Sequence, residues 1–370
     1  DGSGSSLLRS ASLDQALLVA LADPDPEVVV QALRVAAERD AVDFRRVALG
    51  LLMEHPEARV RLLAAEALGR PGLPVDLSRE AFEALVELLN SEGPTDPWLR
   101  TAAICALDQL GEGAPVASLS DHPSAFVRQC AVVVLRRQQS EDLTVFLSDA
   151  EPAVRAESAR AIYDAGVSSA MEGLALALPA LAQEGDSTTI RRALHACREV
   201  ATERLAATLL EYALDERADP DLRAETLRIL AAWTRPLTRD GVVMDHRPLP
   251  GGAPAALAAA LDSVHGGLAV PTLCESEALS GAPLAAALLD LILEADLSGQ
   301  ARTTALASLA GRDGVEAGAR RRAYSALLRV APEAVALAAL TERAAGEAGH
   351  VLRSAALLEL HGADAVSIVS

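Results

Sequence analysis

The stretch EHPEARVRLLAAEALGR, residues 54–70, contains the pattern that decides the fold. A proline near its start is followed by Val60 and Arg61, and small or aliphatic residues then stand three, six and seven positions beyond the arginine. Apolar residues at this spacing line one face of an α-helix, and proline is tolerated only near a helix start. The stretch therefore predicts an amphipathic helix that follows a tight turn.

The same frame recurs along the chain, in DPWLRTAAICAL (96–107), HPSAFVRQCAVVVL (122–135), EPAVRAESARAI (151–162) and DPDLRAETLRIL (219–230). The clear neighbours are 27 to 39 residues apart, and amphipathic segments such as 43–54 and 79–90 precede the frame. The frame arginines are Arg61, Arg100, Arg128, Arg155 and Arg223, with weaker copies at Arg191, Arg302, Arg321 and Arg353. A period in this range predicts stacked helix-turn-helix units.

Two classes of position are predicted to form the core between these units. Small residues would let neighbouring helices approach closely, and larger aliphatic residues would fill the seam between layers. The small set is Ala64, Ala103 and Ala131, and the large set is Leu68, Leu107, Leu135 and Ile162.

These units resemble HEAT repeats, in particular the short bacterial variety whose second helix begins with D-P-x-V-R. The resemblance implies an all-α fold, a right-handed α-solenoid of about nine to ten HEAT-like helix pairs with one long loop insertion. It also implies that Asp and Arg of successive units form a ladder along the turns. We therefore interpret a set of arginines as structural residues of the repeat: Arg61, Arg100, Arg128, Arg155, Arg223, Arg302 and Arg353.

The period divides the chain into four predicted segments. They are a linker or processed N-terminus at 1–12, a repeat array at 13–232, an irregular insertion with a short helix at 233–280, and C-terminal HEAT-like repeats at 281–370. Residues 231–254 hold four prolines and three glycines, which no continuous helix tolerates. Such a loop either contacts a partner, through Trp233, Asp240, His246 and Arg247, or accommodates a change in curvature.

The insertion carries a second, shorter resemblance through Trp233, Pro236, Asp240, Val242, Arg247, Pro248 and Leu249. It is similar to an insert in the HEAT segments of large extracytoplasmic bacterial proteins, which combine a sugar-dehydrogenase-type propeller with a c-type haem domain. This chain has no CxxCH haem motif. The resemblance implies an alternative function, as a structural subunit or segment of an extracytoplasmic redox assembly.

The four cysteines, Cys105, Cys130, Cys197 and Cys274, show no metal-finger spacing and are interpreted as buried helix residues. The redox alternative predicts instead an oxidised Cys105–Cys130 pair or another disulfide. A metal site made from Asp245, His246, His265, Cys274, Glu275 and Glu277 is a weaker hypothesis, because their spacing is irregular. The turn-like stretch 311–318 resembles a calcium loop only superficially.

Composition and motifs disfavour several classes of function. Apolar residues make up 51% and aromatic residues 2% of the chain, which favours helices packed through Ala and Leu. The formal charge of −19 disfavours nucleic acid, including an array of the alkylation-repair type. No GxSxG, P-loop or HExxH motif is present, and nothing singles out a bilin-lyase activity.

The sequence thus predicts a non-enzymatic interaction scaffold without cofactors or membrane insertion. It would present an acidic curved surface to a partner protein with a basic surface, or to a neighbouring domain, as a subunit of a larger complex. The compartment stays open, with the periplasm favoured over the cytoplasm.

Overall fold

The computed structural model describes residues 12–38, 42–70, 72–110, 115–184, 186–280, 282–295, 297–312 and 314–330. Every regular element within these residues is helical, apart from an isolated antiparallel bridge between Leu237 and Leu249. The prediction of an all-α protein is confirmed for this part of the chain. The residues divide into two compact units, and the boundary falls between Ala170 and Met171.

The first unit contains eight α-helices and two 3₁₀ helices among its described residues. The α-helices are α1 (12–20), α2 (Pro26–Ala37), α3 (Val42–Glu54), α4 (Ala58–Leu68), α5 (Val75–Ser91), α6 (Pro97–Gln109), α7 (Ala125–Arg137) and α8 (Pro152–Asp164). The 3₁₀ helices are Val116–Asp121 and Glu141–Ser148. Helix α9 (Ser168–Leu176) crosses the boundary between the units.

The second unit continues with nine α-helices in its described part. They are α10 (Leu178–Glu184), α11 (Ser187–Val200), α12 (Glu203–Leu214), α13 (Pro220–Ala231), α14 (Pro254–Ser263), α15 (Ala269–Glu275), α16 (Ala282–Glu294), α17 (Gly299–Gly311) and α18 (Ala317–Val330). Short 3₁₀ helices at Val264–Gly267 and Glu277–Ser280 follow α14 and α15.

In the first unit, α2, α4, α6, α7 and α8 contact one another in chain order. Ion pairs show that neighbours in this series run parallel. Between α2 and α4, Glu27 pairs with Arg59 at the helix starts (2.6 Å), and Glu38 pairs with Arg70 just beyond the helix ends (3.1 Å). Between α6 and α7, Asp108 pairs with Arg137 near both helix ends (2.8 Å). In these two pairs, the helices therefore run in the same direction.

The predicted helix-turn-helix unit is correct for α3–α4 and α5–α6, but two later units depart from it. The elements that precede α7 and α8 are short 3₁₀ helices rather than α-helices. The spacing of their frame arginines explains this difference. Arg100, Arg128 and Arg155 are 28 and 27 residues apart, whereas Arg61 and Arg100 are 39 apart. The shorter period leaves too few residues for two full helices and their turns.

The frame proline stands in two different places. In the Asp-Pro copies, proline lies in the first helical turn and the aspartate caps the helix, as Asp96 does by accepting from the N–H groups of Trp98 (2.8 Å) and Leu99 (3.1 Å). In the His-Pro copies, proline precedes the cap, and the histidine Nδ1 accepts a turn N–H. His55 binds the N–H of Glu57 in this way, at 3.1 Å. Histidine therefore shapes the turn rather than capping the helix.

The predicted core positions are buried. Ala64, Ala103, Ala131 and the larger set at 68, 107, 135 and 162 are all at most 2% exposed. Close helix approach is most evident at Gly69, where an added Cβ would lie 2.7 Å from the Cα of Ala106. The sequence interpretation of these positions is confirmed.

In the second unit, two series of helices continue through the irregular region. Helix α13 contacts α11 and α16, and α16 contacts α18. Helix α12 contacts α14 and α15, and α15 contacts α17. The residues between α13 and α14 therefore form a loop beside a stack that continues past it.

Among the described residues, no single helix is long and apolar enough to cross a membrane. Residues Pro254–Gly267 and Ala269–Glu275 reach that length and apolarity only together, across a bend of 64°.

Asp186 is the N-cap of α11, and a substitution there tests how much the cap stabilises the protein. Its carboxylate accepts from the N–H groups of Thr188 (2.8 Å) and Thr189 (3.0 Å) and from both threonine hydroxyls. Burial raises the pKa of Asp186, but these hydrogen bonds outweigh it and lower the pKa to about 2. We expect Asp186→Ala to lower the free energy of unfolding by about 1–2 kcal/mol in urea denaturation at pH 7.

The matched variant Asp186→Asn keeps a capping oxygen and should lose less stability. The folded pKa lies below that of an unfolded aspartate, about 3.9. The charge-dependent part of the stabilisation is therefore complete above about pH 5 and falls as the pH drops toward 2. An Ala variant as stable as wild type at pH 7 would contradict this role.

Candidate interaction surface

The repeat arginines bind the turns that precede their own helices. Each guanidinium donates to a carbonyl six to ten residues earlier, where the preceding element ends. The pairs are Arg61 with His55, Arg100 with Gly93, Arg128 with His122, Arg155 with Asp149, Arg223 with Ala213, and Arg302 with Ala295. Carbonyls at helix ends lack partners within the helix, so these arginines satisfy them.

At the C-terminal end of the repeat series, the structure describes only one of the two predicted arginines. Arg353, which the sequence places in the series, lies outside the described residues. In α18 the turn contact is made by Arg320, whose Nε donates to the carbonyl of Ala310 at 3.0 Å, and Arg321 is exposed. The interpretation of Arg321 as the repeat arginine is therefore off by one residue.

Two of the arginines also bind a carboxylate of the next turn. Arg61 pairs with Glu92, and Arg128 makes a bidentate contact with Asp149 at 2.7 and 2.9 Å. The Asp149 side chain is 4% exposed. Burial raises its pKa, but hydrogen bonds from Arg128 and from the N–H of Glu151 outweigh burial and lower the pKa overall. These pairs join successive turns along one edge of the first unit.

The loop between α13 and α14 is closed by its own backbone. Leu237 and Leu249 exchange N–H to carbonyl bonds of 3.0 and 2.8 Å, and Gly252 donates to the carbonyl of Trp233 at 2.7 Å. Near the tip, Asp240 accepts from the N–H groups of Val242 (2.6 Å) and Val243 (2.7 Å). The loop is therefore a folded structure with paired ends.

Trp233 and Arg198 form the base of this loop. Trp233 is 0% exposed, and its indole N–H donates to the carbonyl of Ala253 at 3.2 Å. Arg198, from α11, is 2% exposed, and its guanidinium lies 5.8 Å from the indole ring centre. It donates to the carbonyls of Arg235 (2.8 Å) and Pro250 (3.0 Å), one on each arm of the loop. Burial lowers the pKa of Arg198.

The four residues predicted to contact a partner lie in different surroundings. Trp233 and Asp240 are buried and hold the loop together. Arg247 is half-buried and pairs with Glu199 of α11 at 2.9 Å. His246 is exposed. Burial raises the pKa of Glu199, Arg247 opposes the rise, and nearby Asp240 adds to it. Of this set, His246 alone has an exposed side chain.

A polar group on α11 lies against the loop; the sequence analysis named only its Arg191, as a weaker copy of the frame arginine. Glu225 of α13 accepts from Arg191 (2.8 Å) and bonds with the His195 ring (2.9 Å). Burial raises the pKa of Glu225, but these two partners outweigh it and lower the pKa. An added Cβ at Gly241 would lie 2.5 Å from the imidazole of His195. The i, i+4, i+7 spacing of Arg191, His195 and Arg198 was the available signal for this polar face.

The residues predicted as candidate metal ligands or disulfide partners are not assembled into such sites in the described part of the chain. Among the described residues, no group of three or more His, Cys, Asp or Glu side chains is placed to hold a metal ion, so the set at 245, 246, 265, 274, 275 and 277 is not assembled there. All four cysteines lie in the described part and are free thiols, so the disulfide expected for the redox alternative is absent. Burial raises the pKa of Cys130 to about 11 and of Cys197 and Cys274 to about 12.

The variant Gly252→Ala tests how closely the loop packs on Trp233. An added Cβ would lie 2.6 Å from the indole Nε1 and 2.8 Å from Cε2. We expect Gly252→Ala to lower the free energy of unfolding of the second unit by about 1–3 kcal/mol, measured by thermal denaturation. Gly299→Ala is the matched control, because nothing lies within 4 Å of its added Cβ. Equal melting temperatures for the two variants would contradict the packing.

The fold and this surface define an all-helical protein whose loop and turns are held by arginines. No family model matches the sequence, and no curated protein matches it significantly.

Proposed function

We propose that this chain is a right-handed α-solenoid of HEAT-like helix pairs that acts as a non-enzymatic scaffold. It would present an acidic curved surface to a partner protein with a basic surface, or to a neighbouring domain. The observation that carries the proposal is the stack of parallel helices in the first unit. Glu27–Arg59 and Glu38–Arg70 join α2 and α4 at both ends, and Asp108–Arg137 joins α6 and α7 near their C-terminal ends.

A stack of this kind suits binding because each layer adds a few exposed side chains to one continuous face. The net charge of −19 gives the face a negative field, which speeds encounter with a basic partner and disfavours acidic ones. The loop between α13 and α14 supplies a second contact through its exposed side chains. His246 and Met244 are exposed there, while Trp233, Asp240 and Arg198 hold the loop in shape.

The test is affinity capture with the full tagged chain from a lysate of its source cells at about 50 mM salt. An unrelated protein of equal net charge serves as the control bait. We expect the chain to retain a protein that the control does not. That protein should elute as the salt concentration rises, because charged surface contacts are screened. Cross-linking mass spectrometry would then place the contacts on exposed side chains.

Other outcomes have defined meanings. A chain that elutes alone and carries a metal ion or small ligand would overturn the scaffold proposal. Co-purification with a haem-bearing or dehydrogenase subunit would instead support the redox-assembly alternative. In that case, mass spectrometry of the unreduced chain should also find a disulfide, against the four free thiols of the structure.

A further inference from the structure

Trp98 is the most exposed large apolar side chain in the part of the chain that the structure describes. It lies in the first turn of α6 and is 74% exposed, whereas the second tryptophan, Trp233, is fully buried. Isolated exposed aliphatic residues are common, but an indole costs more to leave in water than any of them. The exposure of Trp98 therefore indicates a candidate contact site, and its neighbours on the surface define what it could bind.

Trp98 lies on a continuous edge of the first unit, which we call the turn edge. The turn edge comprises the turns before α2, α4, α6, α7 and α8, at residues 21–27, 54–59, 91–98, 121–126 and 148–153. Contacts join neighbouring turns along it: Glu27 with Arg59, Arg61 with Glu92, Arg100 with the ring of Phe126, and Arg128 with Asp149. The turns therefore form one surface.

A cavity opens on the same edge, between the turns before α7 and α8. Its volume is about 420 Å³. Its lining combines apolar residues with charged ones: Pro123, Val145 and Ala150 on one hand, and Asp121, Arg128 and Asp149 on the other. Val145 is a second exposed apolar side chain on this surface, at 48%. The cavity is large enough for one aliphatic or aromatic side chain of a partner.

The charge of the turn edge is negative. Its five turns carry ten carboxylates, against Arg59 and the four arginines at 61, 100, 128 and 155 that bind the turns. The formal charge is −5. The guanidiniums of Arg61, Arg128 and Arg155 are engaged with turn carbonyls, while Glu57, Asp121 and Glu151 are exposed. The exposed charge of the edge is therefore mainly that of carboxylates.

We propose that the turn edge of the first unit docks an extended, arginine-rich segment of a partner protein. One apolar side chain of that segment would pack on Trp98, and a second would enter the cavity beside Val145. This inference rests on the proposed scaffold function and assigns it a surface. Arginine suits the edge because it pairs with carboxylates in bidentate fashion and stacks on indole rings.

The geometry limits the spacing of the two apolar side chains. Helix layers lie about 10 Å apart, and the cavity lies one and a half layers from Trp98, so the separation is roughly 15 Å. An extended chain advances about 3.3 Å per residue, which places the two side chains about four residues apart. Residues i and i+4 of an extended chain also point to the same side. The partner is thus expected to carry apolar residues at i and i+4 among arginines.

The test uses the full chain and fluorescein-labelled peptides of 14 residues, measured by fluorescence anisotropy. The probe has six arginines and two leucines at i and i+4, with glycine and serine elsewhere. One control peptide replaces both leucines with serine, and another replaces the arginines with glutamate. We expect the probe to bind at least tenfold more tightly than the serine control, and the glutamate peptide not to bind.

Variants then locate the site. Trp98→Ala should weaken binding of the probe by roughly 30-fold, and Ala150→Trp, which fills the cavity mouth, should remove the preference for leucine. Val75→Ala is the matched control, because Val75 is 73% exposed at the far end of α5. It should bind like wild type. Circular dichroism shows whether each variant is folded.

The inference is overturned if Trp98→Ala and Val75→Ala bind the probe equally, if the serine peptide binds as well as the probe, or if the probe shows no binding at 1 mM. These failures leave the scaffold proposal standing wherever affinity capture has found a salt-sensitive partner. A capture that finds none removes the scaffold itself. The two proposals can therefore fail separately.

Discussion

Trp233→Ala is expected to lower the free energy of unfolding of the second unit by about 3–5 kcal/mol. The side chain is fully buried, and its removal leaves a cavity that the backbone of Gly252 can only partly fill. It also leaves the carbonyl of Ala253 without its indole donor and removes the ring beside Arg198. Urea denaturation followed by circular dichroism would measure the loss.

Trp98→Ala is the matched control for this prediction. It removes the same side chain from an exposed position, so its effect on stability should stay within about 0.5 kcal/mol. The two units can unfold in separate transitions, so the change must be assigned to the second one. Hydrogen exchange supplies that assignment.

The amide groups of Leu237, Leu249 and Gly252 should lose protection in Trp233→Ala, because their bonds close the loop on the indole. Protection in α4 and α6 should stay unchanged. If the loop amides exchange at wild-type rates in the variant, Trp233 does not anchor the loop, and its own backbone bonds and the contacts from α11 are sufficient to hold it.

The helices of the first unit could be predicted from the sequence because their signals are local. The frame positions that face the core recur within one helix, and their burial follows from the spacing of Ala64, Leu68 and their equivalents. The recurrence of the frame also indicated Arg128 and Arg155 as structural residues, and the structure places both against turn carbonyls. The 3₁₀ elements before α7 and α8 were missed, although the shorter arginine spacing already contained the information.

The order of the loop could not be predicted because it depends on contacts that are distant in sequence. Arg198 reaches carbonyls 37 and 52 residues away, and Glu199 reaches an arginine 48 residues away. Nothing in the composition of the loop indicates these partners. The prolines and glycines predicted an irregular segment, and Trp233 suggested a contact residue. Whether that tryptophan faced a partner or the interior depended on α11.

The turn edge of the first unit holds its arginines and most of its carboxylates in different surroundings. The arginines satisfy turn carbonyls, and this draws the guanidiniums toward the protein interior. Carboxylates such as those of Glu57, Asp121 and Glu151 remain exposed, whereas that of Asp149 is buried against Arg128. An acidic edge is therefore a by-product of how the turns are built, and it supplies the charge that the proposed arginine-rich segment would need.

Asp149→Asn is expected to lower the free energy of unfolding of the first unit by about 2–4 kcal/mol at pH 7. The carboxylate is almost fully buried, pairs with Arg128 through both oxygens, and accepts the N–H of Glu151 at 2.8 Å. An amide cannot neutralise the guanidinium, which then remains partly buried without its counter-charge. Asp215→Asn is the matched control, because its bidentate partner Arg217 is 92% exposed. It should leave stability nearly unchanged.

The pH dependence of the free energy of unfolding distinguishes stabilisation by the charge of Asp149 from stabilisation by its packing. The folded pKa of Asp149 lies below that of an unfolded aspartate, about 3.9, because the Arg128 and Glu151 bonds outweigh burial. The stabilisation is therefore complete above about pH 5 and is lost as the pH falls through the unfolded pKa to the folded pKa. We expect the difference between wild type and Asp149→Asn, measured by urea denaturation, to be constant from pH 7 to 5 and to shrink below pH 4. A difference that persists unchanged at pH 2 would mean that Asp149 stabilises the turn by packing and not by its charge.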